Sequence, residues 1–185
     1  MDLIEFGGEF YPKFQSEGYA MQFAIPFISK VCKGIGVDVG CNRVEWSYEG
    51  SLYKHGMSYK DWEKLEYKNA KSFPIDPVIN GFTALIFPNE CKELDYVVSS
   101  HCLEHLENWV DVLDYWHSKL KIGGILFLYL PDYSQLYWRP WNNRKHKNIF
   151  SSEIIYDYMK SKGYKNIFRS GTDLNNSFMI FGQKC

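Results

Sequence analysis

Residues Ile125 to Leu130 form an unbroken apolar run, Ile-Leu-Phe-Leu-Tyr-Leu, set between Gly123-Gly124 and Pro131. A strand with no polar face must be covered on both sides, as in the centre of a sheet flanked by helices. The neighbouring segments agree with that placement. Asn108 is positioned to cap a helix whose apolar residues are Trp109, Val110, Val112, Leu113, Trp116 and Leu120. Gly123 and Gly124 stop it, with Lys119 and Lys121 in the last turn, where the helix dipole favours cations. A second helix, capped by Ser151 or Ser152, carries Ile154, Ile155, Tyr158 and Met159 and ends at Gly163. Strands are expected over 34–40, 72–76 and 94–100, with two more over 166–170 and 177–183, and 82–86 is a further short apolar piece. Strand, helix, strand, helix, strand predicts an α/β fold with a mostly parallel sheet.

The 185 residues are the size of one domain. Residues 1–33 read as an N-terminal helical segment, on the pattern from Gln15 to Lys33. The polar stretch 47–71 reads as a surface excursion with a turn or two of helix around Tyr59 to Tyr67. A net charge of −1 argues against a protein that grips nucleic acid by its overall field. Five cysteines without a Cys-x-x-Cys pair disfavour a disulfide framework or a four-cysteine zinc site. The acidic start, Met1-Asp2-Leu3-Ile4-Glu5, is unlike a secretory leader, and no apolar stretch would span a bilayer. A soluble, cytoplasmic protein without membrane contact is the expectation.

Ligands of parallel sheets bind beyond the carboxyl ends of the strands, so those ends carry the functional reading. The first ends in Asp38-Val39-Gly40-Cys41-Asn42, where Gly40 permits a positive φ and close approach of a ligand. Gly34-x-Gly36 precedes its strand instead of following it, which excludes a nicotinamide-type fingerprint. Asp76 ends the next strand, placed to accept two hydrogen bonds from a ribose diol or to open a turn before Pro77. After Leu94–Ser100 comes His101-Cys102-Leu103-Glu104-His105. Two histidines around a glutamate invite a metal reading, but no third ligand stands at usable spacing, and no metal is expected.

The ordered set Asp38-Val39-Gly40-Cys41, Asp76, Leu94 to Leu106 and Leu120 to Leu126 resembles class I S-adenosylmethionine-dependent methyltransferases, in the small-molecule group with a Leu-Glu-His motif. The resemblance implies a three-layer Rossmann-like sandwich around a seven-stranded, mostly parallel sheet whose last strand is antiparallel. It implies S-adenosyl-L-methionine as cofactor. Asp38, Gly40, Cys41 and Asn42 would face its methionine end, Asp76 the ribose, Thr83, Ala84 and Leu85 the adenine. Ser99, Ser100 and His101 would border the sulfonium. Three features depart from the family pattern: Asn42-Arg43 in the glycine-rich turn, Thr83 in place of an acid, and a connection from Pro77 to Gly81 too short for a helix.

A proton-accepting base would come from His101 or His146, with His105 third. Residues 133–150 read as a lid or acceptor-binding loop, with Trp138 and Trp141 placed to stack on a ring and Arg139 and Arg144 to hold an anion. The expected partner is a small-molecule or glycan-linked acceptor. Alternatives are a binding module that keeps the fold without turnover, and nucleic-acid methylation, which the net charge disfavours.

Overall fold

The computed structural model describes residues 3–6, 9–12, 20–41, 52–136, 139–173 and 175–185, with side chains from residue 24 onward. Among the described residues, the N-terminal stretch is helical from Ala20 onward. Before it, β1 (Leu3–Phe6) and β2 (Glu9–Pro12) pair as an antiparallel hairpin, and α1 runs over Ala20–Val31. Then follow β3 (Gly34–Val39), α2 (Tyr59–Glu63), β4 (Ala70–Ile75), β5 (Leu94–Ser100), α3 (Trp109–Lys119), β6 (Leu120–Pro131), α4 (Ser152–Ser161), β7 (Lys165–Arg169) and β8 (Ser177–Gln183).

The main sheet has the order β4-β3-β5-β6-β8-β7. Strands β4, β3, β5 and β6 are parallel, and β8 runs antiparallel between β6 and β7. The α/β sandwich with an antiparallel last strand is therefore present, but the sheet has six strands among the described residues, not seven. Phe82–Ile86 is the difference. It folds into a tight loop closed by the paired hydrogen bonds of Thr83 and Ile86, 3.1 and 3.0 Å. A parallel neighbour for β4 would need a crossover of a dozen or more residues, and Pro77 to Gly81 cannot supply one.

β6 is covered on both faces, as its composition requires. Leu126, Leu128 and Leu130 pack with Trp62, Phe73, Leu113, Trp116 and Ile155 on one side. Phe127 and Tyr129 pack with Phe27, Ile28 and Tyr96 on the other. Aromatic residues make up 18% of the chain, and many pack here: Phe73, for example, meets Tyr53, Tyr59 and Trp62 edge to face at 5.2–5.5 Å. Gly36 belongs to this packing, since a Cβ there would lie 2.2 Å from the Tyr96 ring. Among the described residues no helix is long and apolar enough to cross a membrane.

Candidate functional site

The carboxyl ends of β3, β4 and β5 open on a cleft of about 290 Å³, lined among others by Gly40, Asp76, Thr83, Ala84, His101 and His105. Its floor is stitched at two points. The Gly40 amide donates to the Ile75 carbonyl (2.9 Å), and Ser99 Oγ donates to the Val39 carbonyl (3.0 Å). Ser99 is thus a buried strut, while Ser100 is half-buried, and neither is among the residues lining the cleft. Asp38 is buried beneath the turn, and burial pushes its carboxyl up to about 7, against a hydrogen bond from Cys41 and with help from nearby Asp76.

Asp76 holds the turn that its position suggests, and it borders the cleft. Its Oδ1 accepts the amides of Val78 (2.8 Å) and Ile79 (3.2 Å), holding the turn through Pro77, while the residue also lines the cleft. The Thr83 loop is anchored by the Trp116 indole, which donates to the Ala84 carbonyl at 2.7 Å. Ala84 consequently faces the cleft. Leu85 is 47% exposed and does not line it.

β5 ends in His101, which holds φ +47°, a left-handed conformation uncommon for a residue with a side chain. The site over-determines that geometry. The His101 amide donates to the Tyr129 carbonyl (2.9 Å), Nε2 pairs with Ser177 Oγ (3.1 Å), and Nδ1 lies 3.4 Å from Glu104 Oε1. Ser177 is itself held by Asp173, whose Oδ1 accepts the Ser177 amide (3.0 Å) and whose Oδ2 accepts the Tyr129 hydroxyl (2.6 Å). Burial raises the Asp173 carboxyl above its ordinary value.

Glu104 sits on a single 3-10 turn, Leu103–His105, and is fully buried. Neither carboxylate oxygen accepts a hydrogen bond, and His105 Nε2 stands 3.8 Å from Oε1. The segment after β6 folds back over this turn. The Glu104 carbonyl accepts the amides of Lys147 (2.7 Å) and Asn148 (3.1 Å), and the Lys145 carbonyl accepts His105 Nδ1–H (2.9 Å). His146 is thereby buried with its ring edge-on to His105, centroids 4.7 Å apart. Arg139 donates to the Tyr133 carbonyl (3.0 Å) and lies 5.3 Å over the ring of Trp141, which is 67% exposed, as Arg144 is exposed. Asn42 and Trp138 lie outside the described residues.

Residues 13–167 match the profile of a methyltransferase domain. The chain belongs to that family. Solved structures agree on the fold. A SAM-dependent methyltransferase of Thermotoga maritima, described as a possible histamine N-methyltransferase, matches with a TM-score of 0.56 and 16% identity over 90% of this chain and 91% of its own. A SAM-dependent methyltransferase of Archaeoglobus fulgidus gives 0.56 and 16% over 89% and 92%. The N-methyltransferase NodS of Bradyrhizobium japonicum, solved with S-adenosyl-L-homocysteine, gives 0.55 and 12% over 89% and 85%. No match was found among proteins of curated function.

Within this methyltransferase domain, several neighbours of the cleft were not legible in the sequence. Ser177 and Asp173 reach His101 from the β7–β8 side, and no local pattern marks them. Glu104 stands in the His-x-x-Glu-His string, but its complete burial follows only from the loop 145–148 closing over it. His146 does not line the cleft. It touches His105 from behind, so of the two candidate bases only His101 borders the cavity.

Proposed function

We propose that this domain transfers a methyl group from S-adenosyl-L-methionine to a small-molecule or glycan-linked acceptor in the cytoplasm. The observation that carries the reading is the cleft itself, at the carboxyl ends of three parallel strands, with Gly40, Asp76, Ala84 and His101 on its walls. The residues fit the cofactor. A buried carboxylate at Asp38 suits an ammonium group above the Gly40 turn, Asp76 suits a diol, and the Ala84 loop offers an apolar edge for a ring. When bound, the cofactor supplies an electrophilic methyl group. Placement supplies much of the acceleration of such a transfer, and a rigid floor of β3, β4 and β5 serves that need.

His101 is the group we assign to accept a proton from an oxygen or nitrogen acceptor. Glu104, 3.4 Å from its Nδ1, stabilises the imidazolium that results. Arg139, Trp141 and Arg144 lie on the segment beyond β6 and suit an acceptor with a phosphate, a carboxylate or a sugar ring.

Calorimetric titration with S-adenosyl-L-homocysteine tests the reading. The wild-type domain is expected to bind. Asp76→Asn keeps an oxygen for the turn amides of Val78 and Ile79 but removes the charge, and is expected to weaken binding about 10- to 100-fold. Silence from folded wild-type protein would overturn the proposal. Binding without transfer to any acceptor would instead indicate a binding module that kept the fold, a reading that the loop at Thr83–Ile86 in place of a seventh strand favours.

A further inference from the structure

The turn after β5 and the loop after β6 meet at three groups that share one chemistry. Glu104, His105 and His146 each bring one potential ligand atom, all within 4.8 Å of one another. From the arrangement we propose that they form a site for a divalent transition-metal ion of the zinc class, at the edge of the methyl-transfer cleft.

Three observations point to a cation there. First, Glu104 is fully buried and its two oxygens accept no hydrogen bond. A carboxylate in that position is costly unless a positive charge meets it. Second, the tautomer of His105 is set. A carbonyl can only accept, so the bond to Lys145 O places a proton on Nδ1 and turns Nε2 toward Glu104. Metal-bound histidines are oriented in this way, with the far N–H given to a backbone carbonyl. Third, Nε2 and Oε1 are 3.8 Å apart. That is too long for a hydrogen bond, yet it suits two ligands of one ion. With metal–ligand distances near 2.1 Å, tetrahedral ligands of one ion stand about 3.4 Å apart. The three atoms, within 4.8 Å of one another, need side-chain closure of at most about 1.4 Å to reach it.

Two imidazoles and a carboxylate are a zinc-type set, and three protein ligands leave a coordination position open. His105 lines the cleft, whereas His146 lines a smaller cavity beneath Arg139. The open position therefore lies toward the cleft. An ion there would hold an acceptor hydroxyl and ease passage of its proton to His101, the O–H electron pair staying on oxygen. That role rests on the methyl-transfer reading; the binding of the ion does not.

The test is titration of purified, metal-stripped protein with cobalt(II), followed by visible absorption, and then competition with zinc. One equivalent of cobalt with the spectrum of nitrogen and oxygen ligands, displaced by zinc, is expected. His105→Ala and His146→Ala should each weaken binding on the order of tenfold or more. Circular dichroism and melting temperature check that each variant is folded, and His105, being partly exposed, is the variant best tolerated. No cobalt or zinc uptake by wild-type protein overturns the site, as do unchanged binding in folded His105→Ala and a thiolate charge-transfer band. S-adenosyl-L-homocysteine titration of the same samples separates the two proposals. Cobalt bound without S-adenosyl-L-homocysteine upholds the site and overturns the methyl-transfer reading, and the reverse result overturns the site alone.

Discussion

Gly40 and Cys102 leave no room between them: a Cβ on Gly40 would lie 2.5 Å from the Cys102 Cβ and 2.6 Å from its sulfur. Gly40 also holds φ +78°. The turn after β3 therefore depends on glycine twice, once for its backbone conformation and once for the approach of the turn after β5. Together they place Asp76 and His101 around one cleft, with Asp38 buried beneath the turn.

Gly40→Ala should cost about 2–5 kcal/mol of stability, from the left-handed backbone and from overpacking against Cys102. Chemical denaturation measures it. Adding Cys102→Gly removes the steric part but not the backbone part, so the double variant should recover only some of the loss. Full recovery would show that the positive φ is unimportant.

Asp38 should give the domain a recognisable pH dependence. Its folded value of about 7 stands above the ordinary 3.8, chiefly through burial. Below about pH 4 the group is protonated in both states and has no effect. As pH rises from there to about 7 the unfolded chain loses this proton first, so stability falls, and above 7 the effect levels off. Melting curves of wild-type protein and Asp38→Asn should diverge between about pH 4 and 7, in favour of the variant. A gap that stays constant across that range would contradict the assignment.

The same carboxyl should make ligand affinity depend on pH. If the ammonium of S-adenosyl-L-homocysteine faces Asp38, binding favours the ionised form and releases a proton. Affinity should then rise from pH 5.5 to 8, with a heat that changes with the ionisation enthalpy of the buffer. A flat profile would place the ammonium elsewhere.

Tyr129→Phe should destabilise the domain by about 1–3 kcal/mol in urea, because buried Asp173 loses its 2.6 Å hydroxyl donor. Asp173→Asn in the Tyr129→Phe background should restore part of that, since a neutral amide is cheaper to bury. Additivity of the two single changes would show that the pair does not act together.

Lys71 supplies a check on the opposite flank. Its side chain is 1% exposed, and its ammonium donates to the carbonyls of Trp62 (3.2 Å), Glu63 (2.5 Å) and Leu65 (3.0 Å) at the end of α2. Lys71→Met removes the donor to all three and should lower stability by about 1–3 kcal/mol. Loss of the cation above the Trp62 ring, 4.8 Å away, should also alter the tryptophan fluorescence of the folded state.

Most strands were readable because their burial is written locally. Ser177–Gln183 and Leu94–Ser100 occupy the expected residues, and the apolar run at Ile125 extends into β6 over Leu120–Pro131. Alternate residues of that run enter two different cores, which is why no polar position interrupts it. Phe82–Ile86 has the same composition as a short strand, yet it forms a loop. The length of the connection before it, Pro77 to Gly81, decides that, and not its own composition. The pairing of Leu3–Phe6 with Glu9–Pro12 differs from the helical segment expected over that end, whose helical pattern lies further along the chain.

The order of the strands' carboxyl ends, and so the place of Gly40, Asp76 and His101, was determined by the sequence alone, because periodicity and turn chemistry act between near neighbours. Which side chains meet was decided only by the tertiary structure. Glu104 acquires its isolation, and His105 its tautomer, from Lys145 to Asn148 crossing over them. Ser177 reaches His101 only because β8 lies beside β6. Such contacts join segments far apart in the chain, and their geometry comes from how layers and loops dock, a property that no local pattern records.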